Sequence, residues 1–434
     1  MSKKIGGVVA LVGLCALSLF LLSCGSSSSR PSGLLYVLTE GSNGTGDNVS
    51  SFAIDLKSGN LSLINSNAST CTPAGGSCGL PLNIILDPTG ATAFVLNQGI
   101  PSASTPPTIY SYTVNSDGSL GTPTPAATLT SGDTAIAMTR DPAGKFLFVI
   151  DQGMDPSATN CQYQPQNGSP NIQCASISVF TMQSGSGSLS PVTGSPFPVG
   201  RIPTALSVVA FTPPGNAVLP CATTTEFLYV TFNLDPALHN DNTLGAFCVD
   251  STGEPKDLTP PNLPYATQPD PLSVLAVNTG ENSGGLFVYV GNQGSVTGAV
   301  SVFQVCTAIN TVCTAQDLTK LVPVGSPTSV GQNPVGMVVD PTNNFLYVVN
   351  EVSSNVYGFR IGTTAGTLTP LTPANLQTGS QPVAMAMHSS GKFLYTSNNG
   401  SSNISAFTVS TTSGTMSSLA IVNSPSGPRG MTAR

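Results

Sequence analysis

One phrase recurs seven times along this chain of 434 residues: a short apolar strand built on an aromatic, a polar turn, then a second strand ending in Phe or Tyr. The aromatic anchors are Tyr36, Phe94, Phe148, Tyr229, Tyr289, Tyr347 and Tyr395, separated by 58, 54, 81, 60, 58 and 48 residues. The answering strands include Val49–Phe52, Ile177–Phe180, Val300–Phe303, Val356–Phe359 and Ile404–Phe407. A self-similar period of that length, with one small sheet per unit, constrains the fold more tightly than any other feature.

The sixth unit shows the plan. Pro334–Val339 is an apolar run, Asp340-Pro341-Thr342-Asn343 a turn, and Phe345–Val349 a second apolar run. Asp at the first turn position caps it through its side chain, and Pro at the second presets φ for a type I turn. Asp87-Pro88-Thr89-Gly90 and Asp141-Pro142-Ala143-Gly144 repeat the device. Asn355–Phe359 alternates as a strand, and Gly366-Thr367-Leu368 leads into a fourth. Apolar and aromatic residues occupy both faces of these strands, so each sheet needs a neighbour on either side, and radial packing of similar sheets supplies both. Helical periodicity is absent after the leader. The chain therefore reads as all-β, a seven-bladed propeller of four-stranded antiparallel blades over residues 33–434. Gly33–Val37 is a second strand lacking its first, and Pro428–Ala433 matches Pro334–Met337 and Pro382–Met385. The C-terminal segment is expected to supply the innermost strand of blade one and close the ring.

Lys3, Lys4, the apolar run Ile5–Leu22 and Ser23-Cys24-Gly25 describe an export signal over residues 1–23. Leu21-Leu22-Ser23-Cys24 resembles a bacterial lipobox, which makes Cys24 the expected lipidation site, with residues 24–32 a tether. The rival reading is an uncleaved membrane anchor. Eight further cysteines fall as sequence neighbours, Cys71 with Cys78, Cys161 with Cys174, Cys221 with Cys248 and Cys306 with Cys313, as expected of disulfides in an oxidising compartment. A bacterial cell-envelope location, facing periplasm or cell surface, follows. Formal net charge is -7 and charged residues make up 8% of the chain, which leaves nucleic acid no basic surface. The chain is expected to be monomeric.

Tyr347-Val348-Val349-Asn350 and Tyr289-Val290-Gly291-Asn292 resemble the repeat of YVTN-type surface propellers. The whole phrase, with its Asp-Pro turn and Gly-x-Leu step, is similar to the seven-bladed lactonase family that includes 6-phosphogluconolactonase. That resemblance implies a hydrolase of sugar lactones. It is specific for architecture, because the matching residues are those that build blades. Members of the family carry a Pro-Arg step near a catalytic His. Here Pro428-Arg429 is followed by Gly430, so the expected His is missing.

The positions just after each second strand are Thr39 and Glu40, Asn97 and Gln98, Asp151 and Gln152, Phe232 and Asn233, Asn292 and Gln293, Asn350 and Glu351, Asn398 and Asn399. Together they are expected to ring one mouth of the channel, offering Glu40, Asn97, Asp151, Asn292, Asn350, Glu351 and Asn398 to a carbohydrate or lactone. The alternative is turn chemistry, since Asn and Asp end strands by bonding nearby backbone. A Ca2+ ion is the one cofactor such a mouth suggests, with Glu40, Asp151 and Glu351 its only charged ligands; otherwise no cofactor or metal is expected. Arg429 stands where other first strands carry Leu82, Thr134, Thr204, Leu272, Val335 and Val383, and a cation there suits a carboxylate or phosphate. Arg201 is a weaker candidate of the same kind.

Lactone hydrolysis needs a base and an oxyanion partner. The candidates are Arg429, Glu351 and His239. His388 occupies the place of a turn Asp, and no Ser-His-Asp set or nucleophile elbow is visible. The leading expectation is a lipid-anchored binding or interaction module for a carbohydrate, lactone or protein partner, with the loop from Asp151 to Ala175 as contact element. A lactonase-like hydrolase and a structural surface-repeat protein are the rivals.

Overall fold

Turn chemistry sets the geometry of each blade. In a computed structural model, Asp340 Oδ1 accepts the N–H groups of Asn344 and Phe345 at 2.8 and 2.7 Å, while Oδ2 accepts the Thr342 hydroxyl. Asp87 and Asp141 do the same, taking the N–H of Thr92 at 2.9 Å and of Phe146 at 2.5 Å. In blade seven, buried His388 plays the Asp part through Nδ1, which lies 3.1 Å from the N–H of Ser390. The structure describes residues 33–40, 47–70, 79–100, 105–129, 134–152, 175–183, 185–199, 202–212, 221, 226–233, 242–259, 265–280, 285–294, 297–307 and 319–434.

Within these residues the strands form seven antiparallel sheets arranged in a ring. Blade six is typical, its strands Pro334–Val339, Phe345–Asn350, Asn355–Ile361 and Leu368–Gln377 ordered from the axis outward. The fourth strand is broken in two in blades three, four, five and seven, as at Leu189–Pro191 and Phe197–Pro198, where proline removes a ladder donor on the outer edge. The seam is as expected. Pro428–Ala433 pairs with Leu34–Thr39, Leu35 opposite Ala433 and Val37 opposite Met431.

In six of the seven blades the second strand, such as Phe345–Asn350 or Phe393–Asn398, is buried along its full length, and its alternate residues serve different interfaces. Leu34, Tyr36 and Leu38 pack with Ile84, Val95 and Tyr112 of blade two, whereas Leu35 and Val37 pack with Tyr395 and Ile404 of blade seven. The buried apolar residues form seven clusters, each between two neighbouring blades. At about 1.5–3 kcal/mol per large side chain, these wedges dominate stability.

Polar latches reinforce them. Tyr36, Tyr289, Tyr347 and Tyr395 donate their hydroxyls to Gly118, Gly366, Gly414 and Gly59 in the next blade round, at 2.7–2.9 Å. The Tyr395 bond to Gly59 crosses the seam. Gly414 sits at φ +74°, where a Cβ would lie 2.2 Å from the Phe345 ring, so both backbone and packing require glycine. Cys221 and Cys248 form a disulfide, as expected, with Cα atoms 6.0 Å apart. Cys306 is also disulfide-bonded, and Cys313, Cys71, Cys78, Cys161, Cys174 and Cys24 lie outside the described residues.

Candidate functional site

One hydrogen bond recurs in all seven blades. The residue following each second strand, at Glu40, Gln98, Gln152, Asn233, Gln293, Glu351 and Asn399, donates its N–H to the carbonyl just before the first strand, at 2.8–3.0 Å. This bond pins seven polar side chains around one mouth of the channel, each partly or fully exposed. The residues one place earlier point the other way. Asn97, Asp151, Asn292, Asn350 and Asn398 are at most 1% exposed; Asn97 bonds across to blade one and the other four bond inside their own sheets. Asn97 donates to Thr70 O, Asn292 to Ser301 Oγ and Asn350 to Asn355 Oδ1; Asp151 accepts from Ser176, and Asn398 bonds Thr396 and Ser405. A ring built from both positions is therefore corrected to one built from the second alone. Successive strand residues face opposite sides, and the first of each pair still belongs to the strand.

The first strands open with a β-bulge in every blade. A bulge re-aims the extra residue, here into the channel. The channel-lining residues at this level are Leu82, Ile136, Thr204, Leu272, Val335, Val383 and Arg429, so the blade-three equivalent of Arg429 is Ile136 and not Thr134. They enclose a cavity of about 400 Å³. Among the described residues, Arg429 is the one charge at its wall.

Arg429 does not stand alone. Its Nε and Nη2 both meet Glu40 Oε2, at 2.7 and 2.6 Å, with each side chain about 30% exposed. Ring closure makes the pair, since 389 residues separate the partners. Among the described residues, Glu40 Oε1 and Arg429 Nη1 have no partner. A free carboxylate oxygen and a free guanidinium donor thus stand side by side at the top of a shaft lined mostly by aliphatic side chains. Ser397 Oγ and Asn399 Nδ2 hold the strand beneath them by donating to the carbonyls of Arg429 and Pro428, at 2.5 and 3.4 Å.

Glu351 lies two blades from the pair, its Oε2 accepting from Asn333 Nδ2. Gln152 Nε2 bonds Pro203 O of the next blade at 2.9 Å. The carboxylates offered for Ca2+ thus have separate partners, and among the described residues no three His, Cys, Asp or Glu side chains converge. His388 is buried in its turn at the opposite face; His239, Arg201 and most of the Asp151–Ala175 loop lie outside the described residues. At Gly430, where the resembled family carries its His, a Cβ would lie 2.4 Å from the Leu82 carbonyl oxygen. No side chain fits on this backbone. The sequence singled out Glu40 and Arg429 separately but gave no sign that they meet.

Residues 281–383 and 311–434 match the family described as Lactonase, 7-bladed beta-propeller. The chain is a seven-bladed propeller, and the match to that family model falls in its last three blades. Solved structures agree on the fold. The periplasmic gluconolactonase of Pseudomonas aeruginosa superposes with a TM-score of 0.60 at 16% identity, covering 92% of this chain and 98% of its own. A Bacteroides fragilis protein with a 6-phosphogluconolactonase assignment gives 0.60 at 14% identity, over 93% and 98%. A Lactobacillus plantarum protein gives 0.59 at 11%, over 93% and 99%. No curated protein matches the chain.

Proposed function

We propose that this propeller hydrolyses a small sugar lactone at the channel mouth, and the observation that carries the reading is the Glu40–Arg429 pair. Attack of water on a lactone carbonyl needs an acceptor for the water proton and a donor for the oxygen that gains charge. Glu40 Oε1 supplies the first and Arg429 Nη1 the second, from two groups that orient each other through the remaining oxygen and nitrogens. Water adds to the carbonyl carbon as its proton passes to Glu40; the ring C–O bond then breaks, and the same proton goes to the leaving alkoxide. The open product is a hydroxy acid, whose carboxylate Arg429 suits. The surrounding amides of Gln98, Gln152, Gln293 and Asn399 match a polyhydroxylated ring, each offering donor and acceptor. An export signal favours an unphosphorylated lactone, and one fold neighbour is a periplasmic gluconolactonase.

The test is acid release from glucono-δ-lactone by the full chain in detergent, read above the spontaneous rate. Glu40→Gln is expected to lower kcat by about 10²- to 10⁴-fold and Arg429→Gln by about 10²- to 10³-fold. Wild-type turnover no faster than buffer, or variants as active as wild type, sinks the proposal.

A second reading keeps the same mouth as a carbohydrate-binding surface of a lipid-anchored envelope module. The amide ring favours it, together with the glycine at position 430. Binding of gluconate by isothermal titration, without turnover of the lactone and lost in Arg429→Gln, would select this reading.

A further inference from the structure

The face opposite the mouth carries a second basin that the lactonase reading leaves unused. It measures about 410 Å³ and lies among blades one, two, three and seven, where the inner strands end. Two guanidiniums border it, Arg140 from blade three and Arg434 from the seam strand. In a chain with 13 basic residues, such convergence at one opening is notable for its charge alone.

Both cations are held with donors to spare. Arg140 gives Nε to Leu86 O at 2.7 Å and Nη1 to Asp141 O and Pro142 O at 2.9 and 3.2 Å, which leaves Nη2. Arg434 gives Nη1 to Gly90 O at 3.2 Å, which leaves Nε and Nη2; its backbone is clamped by paired bonds with Leu34 at 3.0 and 2.9 Å. Three hydroxyls share the basin wall, Thr139, Ser389 and Thr432, and among the described residues none makes a hydrogen bond. The nearby carboxylate of Asp87 is committed to its own turn, Oδ1 to the Thr92 N–H at 2.9 Å and Oδ2 to the Thr89 hydroxyl at 2.6 Å. The wall thus presents two guanidiniums with free N–H groups and three free hydroxyls, while its carboxylates are engaged, Asp87 in its turn and the Arg434 main chain with the Leu34 N–H at 3.0 Å.

We propose that this basin binds a small oxyanion, a phosphate or a carboxylate, between Arg140 and Arg434 with the hydroxyls completing its shell. Charge-assisted N–H bonds to an oxyanion are about twice as strong as neutral ones, and guanidinium matches both anions in geometry. Partial burial of Arg140 strengthens the attraction by excluding water. Thr139 lines both this basin and the channel cavity, so an anion held here lies at the far end of the shaft from Glu40 and Arg429. The proposal stands whether or not the mouth is catalytic.

Isothermal titration of the full chain carrying Arg429→Gln, which removes the anion donor of the mouth, tests it in detergent, with inorganic phosphate in one arm and gluconate in the other. Saturable binding of at least one anion is expected, and the arm that titrates names the oxyanion. Arg434→Gln and Arg140→Gln should each weaken that binding by about tenfold, the loss of one charged hydrogen bond. Arg434 is exposed, so its variant folds even if Arg140→Gln does not. Binding of neither anion in the Arg429→Gln background, or an affinity there unchanged by adding Arg434→Gln, overturns the basin assignment.

Discussion

Removing the seam strand tests the architecture most directly. Truncation after Ser426 deletes Pro428–Ala433 and leaves Leu34–Thr39 as an unpaired inner edge. The bonds lost include both between Leu34 and Arg434, Glu40 N–H to Gly427 O, Ser397 Oγ to Arg429 O and Asn399 Nδ2 to Pro428 O, beside the ladder itself. At about 1 kcal/mol net each, these five bonds contribute about 5 kcal/mol. Burial of Met431 adds about 2 kcal/mol. A domain of about 400 residues has an unfolding entropy near ~0.8 kcal/mol/K, so a loss of about 7 kcal/mol lowers Tm by roughly 8 °C. Circular dichroism melts of the truncated and full chains measure this, and a synthetic peptide spanning residues 427–434 should restore part of the difference. A melt within about 2 °C of the full chain would refute ring closure by this strand as a source of stability.

Three further outcomes are expected. Gly414→Val places a branched side chain at φ +74° against Phe345, and should cost about 2–4 kcal/mol in urea unfolding; a value below about 0.5 kcal/mol would contradict the packing. Replacing both Cys221 and Cys248 by Ser opens a loop with a sequence separation of 27 and should cost about 2–4 kcal/mol, checked in the same assay against reduced wild type. Glu226 of blade four is pushed up to about 7, first by burial and then by the charge of Asp141 in blade three, with Lys145 opposing. The folded chain therefore binds the Glu226 proton more tightly than the unfolded chain, and wild type should lose stability relative to Glu226→Gln as pH rises from about 4.5 to about 7, then level off. A difference in Tm that stays constant across that window would remove the coupling between these carboxyls.

Much of the architecture is legible in the residues because blade building is local. Asp340-Pro341 makes its turn within five residues, and the two-sided apolar alternation of strands such as Phe345–Asn350 demands a sheet on either side. Seven copies and a spare inner strand at Pro428–Ala433 then define a closed wheel. The mouth was less legible. Asn350 and Glu351 look equivalent on paper, yet the strand's period of two buries one in the sheet and leaves the other at the rim. The bulge that opens each first strand shifts the count by one residue, which is why Ile136 and not Thr134 matches Arg429.

What the chain's order of residues determines by itself is the blade, its sevenfold repetition and the way its two ends complete one sheet, since all of these rest on contacts between near neighbours or on matching periodic patterns. What only the folded ring decides is which polar groups meet. Glu40 reaches Arg429 across 389 residues, Arg140 and Arg434 come to border one basin, and the Leu82 carbonyl leaves no room for a side chain at Gly430. Closing a circle brings blades one, two, three and seven together at the axis, and no local pattern records which of their side chains will face each other there.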